Sequence, residues 1–248
     1  MEYLKLLLLF GVGTMAGFIN VMAGGGSSLT LPALIFVGLD GAMANGTNRI
    51  ALTLQGIFAV LSFHKRGIHQ YQRSLQLSLL TLPGAIIGAL LAVNISDAWF
   101  QRILSIVLIG IVISMFFPSK KQAQQTTAEG RRTWMIYPVM FGIGLYGGFI
   151  QVGVGFMFMA ALYHILKLDL VYVNMHKVFI ILVYMIPTLC VFLVTGNLNW
   201  PLGLCLAAGN SLGGWWGAHF AVKGGERVIR YVLAVAILIM AAKLLGLF

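Results

Sequence analysis

The sequence predicts an all-α polytopic membrane protein made of two inverted repeats of about five helical segments each, and three observations carry that prediction. Composition is the first. With 60% hydrophobic residues, 9% charged residues and a mean hydropathy of +0.95 over 248 residues, the chain has too little polar surface to cover a water-soluble domain but suits lipid. The second is internal repetition: a shift of 129 positions lays Gly24 and Gly26 on Gly153 and Gly155, Leu39 and Asp40 on Leu168 and Asp169, Asn45 on Asn174, and Gly67 on Gly196. The third is loop charge. His64, Lys65, Arg66 and Arg73 mark the loop near 67 as cytoplasmic, whereas its counterpart TGNLNWP, 195–201, carries no charge and belongs outside. Partner loops on opposite sides require an odd number of crossings per half, hence halves related by a pseudo-two-fold axis in the membrane plane.

A spanning helix needs about 20 apolar residues. The first half supplies such runs at 3–22, 42–64, 73–93 and 98–117, with a short apolar piece at 27–38 after the glycine triplet. The second half repeats the layout at 134–153, 156–166, 171–194, 200–221 and 227–247. Whether the first two segments of each half cross or form a hairpin that enters and returns, the parity is the same. The apolar N-terminal run has the poor n-region and the repeat partner that speak against a signal peptide. Between repeat 1 (1–117) and repeat 2 (134–248), the polar segment 118–133, PSKKQAQQTTAEGRRT, reads as a flexible cytoplasmic linker. Asp40, Asp97, Asp169 and Glu226 stand at helix starts as caps. Gly84 with Gly88, and Gly213 with Gly217, are small-residue faces for close helix packing. Cys190 and Cys205 lie in apolar segments as small core residues. The net charge of +10 follows from loops and linker and does not indicate nucleic-acid binding.

Candidate ligand-binding residues cluster at the two glycine breaks. Irregular backbone at membrane depth is tolerated only inside protein or along a wet cavity, and the free N–H groups at a half-helix N-terminus attract an anion. Gly24, Gly25 and Gly26 permit close backbone approach, with Ser27 and Ser28 as hydroxyl donors at the cap. The partner break offers Gln151, Gly153 and Gly155, with Phe156 and Met157 where the serines stood. The span after each short segment then carries polar residues at one-turn spacing: Asn45, Thr47, Asn48 and Arg49 in the first half, Asn174, His176 and Lys177 in the second. Arg49 falls about 10 Å into its helix at about 1.5 Å per residue, and a cation at such depth faces a partner or a cavity. All six acids are placed elsewhere, so an anionic ligand is the expected counter-charge. His176 is the candidate for a proton-linked switch. No metal site or cofactor is expected, and no HExxH, GxSxG or acidic pair indicates an enzyme.

The segments GFINVMAGGGSSLTLPALI, GLDGAMANGTNRIAL and PGAIIGA, repeated as GGFIQVGVGF, LDLVYVNMHKV and GGWWGA, resemble the TauE/SafE sulfite-exporter family, also called toluene-sulfonate uptake permeases. The resemblance covers both halves; the second break departs from a full glycine triplet at Val154. It implies transport of sulfite, sulfonates or related small anions across the cell membrane. The expected partners are therefore a small anionic substrate and the lipid bilayer, together with a coupling proton or ion; a homo-oligomer is compatible with the sequence. A small-anion channel is the alternative to a carrier.

Overall fold

A computed structural model describes residues 2–116 and 133–244, and all regular structure among them is helical. The first half forms α1 (Glu2–Met22), α2 (Ser27–Phe36), α3 (Gly41–His64), α4 (Tyr71–Asn94) and α5 (Asp97–Phe116). A single 3-10 turn then leads into α6 (Ile136–Phe149), α7 (Val154–His164), α8 (Leu170–Val194) and α9 (Trp200–Leu244). Apart from Thr133, the expected linker lies outside the described residues. By length and composition, the stretches Tyr3–Met22, Tyr71–Asn94 and Leu170–Val194 can each cross a bilayer. The chain is a helical membrane protein. Helix α3 is as long as these, but its interior carries Asn45, Thr47, Asn48, Arg49 and Gln55, all buried.

Local chemistry explains most boundaries. The Asp40 carboxylate accepts from Met43 N at 2.8 Å, and Asp169 accepts from Val171 N and Tyr172 N, so each caps the helix that follows it. Asp97 acts differently from the cap expected of it: Oδ1 accepts from Gly41 N at 2.6 Å, tying the start of α5 to the start of α3. Glycines at positive φ end or break helices where the repeat requires it, at Gly24 (89°) and Gly153 (71°), and again at Gly67 and Gly196 (73° each). One boundary differs from expectation. The spans expected at 200–221 and 227–247 are joined in a single helix of 45 residues, which places residue 226 inside α9 rather than at a helix start. Gly224 and Gly225 cost about 1 kcal/mol each against alanine but do not stop a helix, since no proline follows to block it.

Helix directions follow from which residues meet. Along α1, Gly13 faces Leu206 O and Gly17 faces Asn210 of α9, so the two helices run parallel; Gly84 and Gly88 of α4 meet Phe141 and Leu145 of α6 in the same sense. The glycine faces are thus close-packing devices, as their spacing indicates. Helices α3 and α8, repeat counterparts of one another, run antiparallel: Gly46, Arg49 and Gly56 meet Phe192, Thr188 and Leu182 in turn. Helix α2 folds back along α1, since Lys5 Nζ at the start of α1 donates to Val37 O just beyond the end of α2 (3.2 Å). The α1–α2 pair is therefore a hairpin with the glycine triplet at its tip. Two interior clusters bind the halves together, one joining Val21, Met22 and Leu52 to Phe158 and Tyr184, the other joining Leu31, Leu34 and Phe100 to Ile150 and Leu206.

Candidate functional site

The two glycine breaks touch. Gly24 and Gly155 approach so closely that neither has room for a methyl group, the obstacle in each case being the backbone of the other. Gly25 is covered by the Phe156 ring, which occupies the repeat position of Ser27. The tips of the two broken helices therefore meet in the interior, as the paired glycine signal and the inward-facing polar residues together demand.

A broken helix leaves its last carbonyls without partners, and inside a membrane protein something must supply the donors. Here the donors come from the opposite half. Lys177 Nζ on α8 donates to Asn20 O (3.1 Å) and Val21 O (2.8 Å) at the end of α1, and Asn174 Nδ2 donates to Met22 O (3.3 Å). In the reciprocal position, Arg49 Nη2 on α3 donates to Gly148 O at the end of α6, and Asn45 Nδ2 donates to Phe149 O (2.8 Å). The negative end of each broken helix thus meets a cation and an asparagine from the other repeat. Lys177 also donates to Asn174 Oδ1 (2.8 Å), and Arg49 Nη1 to Thr188 Oγ1 (2.8 Å), with the guanidinium 4.6 Å from the Phe192 ring centre.

This arrangement supplies the interior cations with carbonyl partners that sequence reasoning, which looked only for carboxylates, did not foresee. Asn20, Gly148, Phe149, Thr188 and Phe192 were all missed. Of these, only Asn20 carried a signal, a polar residue in an apolar run one turn before the glycine triplet. Its Nδ2 donates to Gln55 Oε1 (3.3 Å), linking α1 to the polar line of α3.

The other candidates divide. Gln151, in a left-handed conformation at φ 57°, donates to Asn45 O and Oδ1 and so joins the second break to α3. Thr47 Oγ1 accepts from Asn199 N at the start of α9, and His176 Nδ1, at its repeat position, pairs with Ser74 Oγ near the start of α4 (2.8 Å). Those two bonds tie α3 to the start of α9 and α8 to α4. Ser28 spends its hydroxyl proton on Gly25 O at 2.6 Å, and Gly26 caps α2 without a side-chain bond, so the expected serine cap is replaced by a turn closed on itself. Ser27 is buried beside it.

What the site leaves unbonded decides its chemistry. Arg49, Asn45, Asn48, Asn174 and Lys177 have no solvent exposure. Among the described residues, Arg49 Nε, both amide atoms of Asn48, Gln151 Oε1, Thr30 Oγ1 and the Tyr184 hydroxyl are buried without a hydrogen-bond partner, as are His176 Nε2 and both amide atoms of Asn210. Among the described residues, the backbone N–H groups of Gly25, Gly26 and Ser27 at the head of α2, and of Gly153 before α7, find no carbonyl acceptor. Native interiors satisfy nearly all such groups, so a concentration of orphans marks a place for a polar guest. Donors dominate the set, and among the described residues no cluster of side chains suits a metal ion.

A helical membrane body with two broken helices meeting at a buried polar centre is the arrangement in which membrane transporters build their sites. Comparison with known proteins places it more closely: the profile of the Sulfite exporter TauE/SafE family matches residues 9–244, and the chain belongs to that family. It is 30% identical over 247 residues to "Probable membrane transporter protein ORF9" of Sinorhizobium, covering 97% of this chain and 92% of that one. It is 27% identical over 241 residues to a probable membrane transporter protein of Haemophilus influenzae (96% and 94% covered). It is 28% identical over 244 residues to "Probable membrane transporter protein YfcA" of Escherichia coli K12 (98% and 90% covered). No solved structure matches the chain.

Proposed function

We propose that this transporter is a secondary carrier that moves small anions, sulfite, sulfonates or related species, across the cell membrane by alternating access. The observation that carries the reading is the donor-rich centre: unbonded N–H groups at the head of α2 and the free Arg49 Nε, in a region without a carboxylate. Helix N-termini and a guanidinium are suited to sulfonate and sulfite oxygens by charge and by donor geometry. Complete burial of Arg49, Asn48 and Lys177 favours a carrier closed on both sides over an open pore. A thermal-shift screen of the purified protein against sulfite, methanesulfonate, sulfate and acetate tests the class. Stabilisation by the sulfur oxyanions that grows with the logarithm of their concentration above Kd is expected, about 2.7 kcal/mol at a hundred-fold excess over Kd. Equal responses to all four salts would remove the anion site.

The two halves are proposed to lie inverted across the membrane, with both the loop near 67 and the linker in the cytoplasm. The antiparallel course of α3 and α8 supports this. In a background lacking Cys190 and Cys205, a cysteine replacing Gly67 is expected to be protected from an impermeant external thiol reagent and one replacing Gly196 to react. Neither glycine has a heavy atom near the position of an added side chain. Equal labelling of the two would overturn the inverted arrangement.

A further inference from the structure

We propose that Lys177 carries the coupling ion of this transporter, and that the ion is a proton, because its ammonium fills a ready-made cation seat with a cation tethered to the chain. The inference rests on the carrier reading above. The seat consists of Asn20 O (3.1 Å), Val21 O (2.8 Å) and Asn174 Oδ1 (2.8 Å), three oxygens with no carboxylate among them. Carbonyls at the end of a broken helix are what a free sodium ion would use in such a fold. Here an ammonium with three donors meets three acceptors, so each N–H has a partner and no position is left for a metal ion. Neighbouring bonds hold the oxygens in place. Asn174 Nδ2 is fixed on Met22 O, which turns Oδ1 toward the ammonium, and the Asn20 amide is held by Gln55.

Protonation changes what this seat can hold. The ammonium gives one proton to each oxygen; the neutral amine has two N–H groups and a lone pair, and the lone pair facing a third oxygen is repulsive. Loss of the proton to water on the receiving side, R–NH3+ giving R–NH2 and H+, therefore releases the end of α1. That end leads directly into Gly24, whose backbone rests on Gly155. The proton is thus linked to the contact that must open if the closed centre is to reach either side. Arg49 cannot play this part, because a guanidinium stays charged.

The titratable and charged groups on the helices packed against α8 engage elsewhere. Lys5 of α1 is on Val37 O, Arg49 of α3 on Gly148 O and Thr188, and His64 of α3 on Tyr71 of α4. Tyr146 of α6 is on Val152 O, His219 of α9 on Arg66, and His176 of α8 itself on Ser74 of α4. Among the described residues, Arg73 of α4, His164 of α7, Tyr172 and Tyr184 of α8 and Lys223 of α9 are not hydrogen-bonded to Lys177 either.

Proteoliposomes offered radiolabelled methanesulfonate from outside decide the matter, since a sulfonate stays ionised and cannot itself carry the proton. The wild-type protein is expected to exchange methanesulfonate in counterflow and to concentrate it at least tenfold under a pH gradient, with no response to a sodium gradient. Lys177→Arg keeps the charge but cannot release a proton, so pH-driven accumulation is expected to be lost and whatever counterflow remains to be independent of pH. Accumulation driven by sodium, indifference of the wild type to the pH gradient, or Lys177→Arg still concentrating substrate would each overturn the proposal while leaving the carrier reading intact. Absence of wild-type counterflow would remove the sulfonate-carrier reading and the proposal with it. Should Lys177→Arg fail to fold, the wild-type gradients alone identify the ion.

Discussion

Replacing Gly24 with alanine is expected to abolish stable folding, while Gly25→Ala leaves an extractable protein. Gly24 has φ 89°, a left-handed conformation that costs an ordinary residue about 1–2 kcal/mol, and its missing side chain is the space taken by the Gly155 backbone. Overpacking against backbone adds about 1–3 kcal/mol. Together these cost a large part of the total stability of an ordinary domain. Gly155→Ala meets the same obstacle from the other side and is expected to behave alike. At Gly25 the added methyl would meet only the Phe156 ring, the end of a side chain that can swing away. Detergent extraction followed by size-exclusion chromatography separates the cases. A monodisperse Gly24→Ala protein would show that the two breaks need not touch.

Arg49→Gln is expected to weaken binding of sulfite or methanesulfonate roughly ten- to a hundred-fold, the equivalent of about 1.5–3 kcal/mol for a charge-assisted hydrogen bond. Its effect on folding is expected to be small, because two terms oppose one another. Gly148 O loses its donor, at about 1–3 kcal/mol, but removal of a cation from the interior returns a comparable sum, about 2.5–3.5 kcal/mol on insertion scales. Arg49→Lys keeps the charge and loses the planar fork, so its affinity is expected to fall between the two. Parallel titrations by thermal shift read both quantities. If Arg49→Gln binds like the wild type but melts lower, the guanidinium serves α6 alone and the ligand is held by the backbone of α2.

Helix order, the breaks and the buried polar positions were legible in the sequence because each has a local signature. Apolar length gives the spans, Asp40 and Asp169 announce the helices they cap, and the 129-residue repeat doubles every signal. The partners of the polar residues were not legible, since they are mostly backbone carbonyls more than 90 positions away. A carbonyl leaves no mark in a list of side chains. Counting acids therefore suggested that Arg49 and Lys177 lacked protein partners, although both have them. The continuity of α9 was hidden for another reason: Lys223, Arg227 and Arg230 look like a loop by charge, but charge alone does not break hydrogen bonds. Ser27 and Ser28 were expected to serve as hydroxyl donors at the cap, whereas Ser28 turns back on Gly25 O.

The exchange of caps between repeats has a consequence for biosynthesis. During translation α1 enters the membrane with the carbonyls of Val21 and Met22 unsatisfied, and the residues that bond them, Lys177 and Asn174, are made some 150 residues later. Until then water or the insertion machinery must shelter that hairpin tip, so the first half cannot mature on its own. Helix α6 is spared the delay, because Asn45 and Arg49 already exist when Gly148 and Phe149 appear. Two halves alike in sequence thus enter the bilayer under different circumstances, the earlier one waiting and the later one received by a prepared partner.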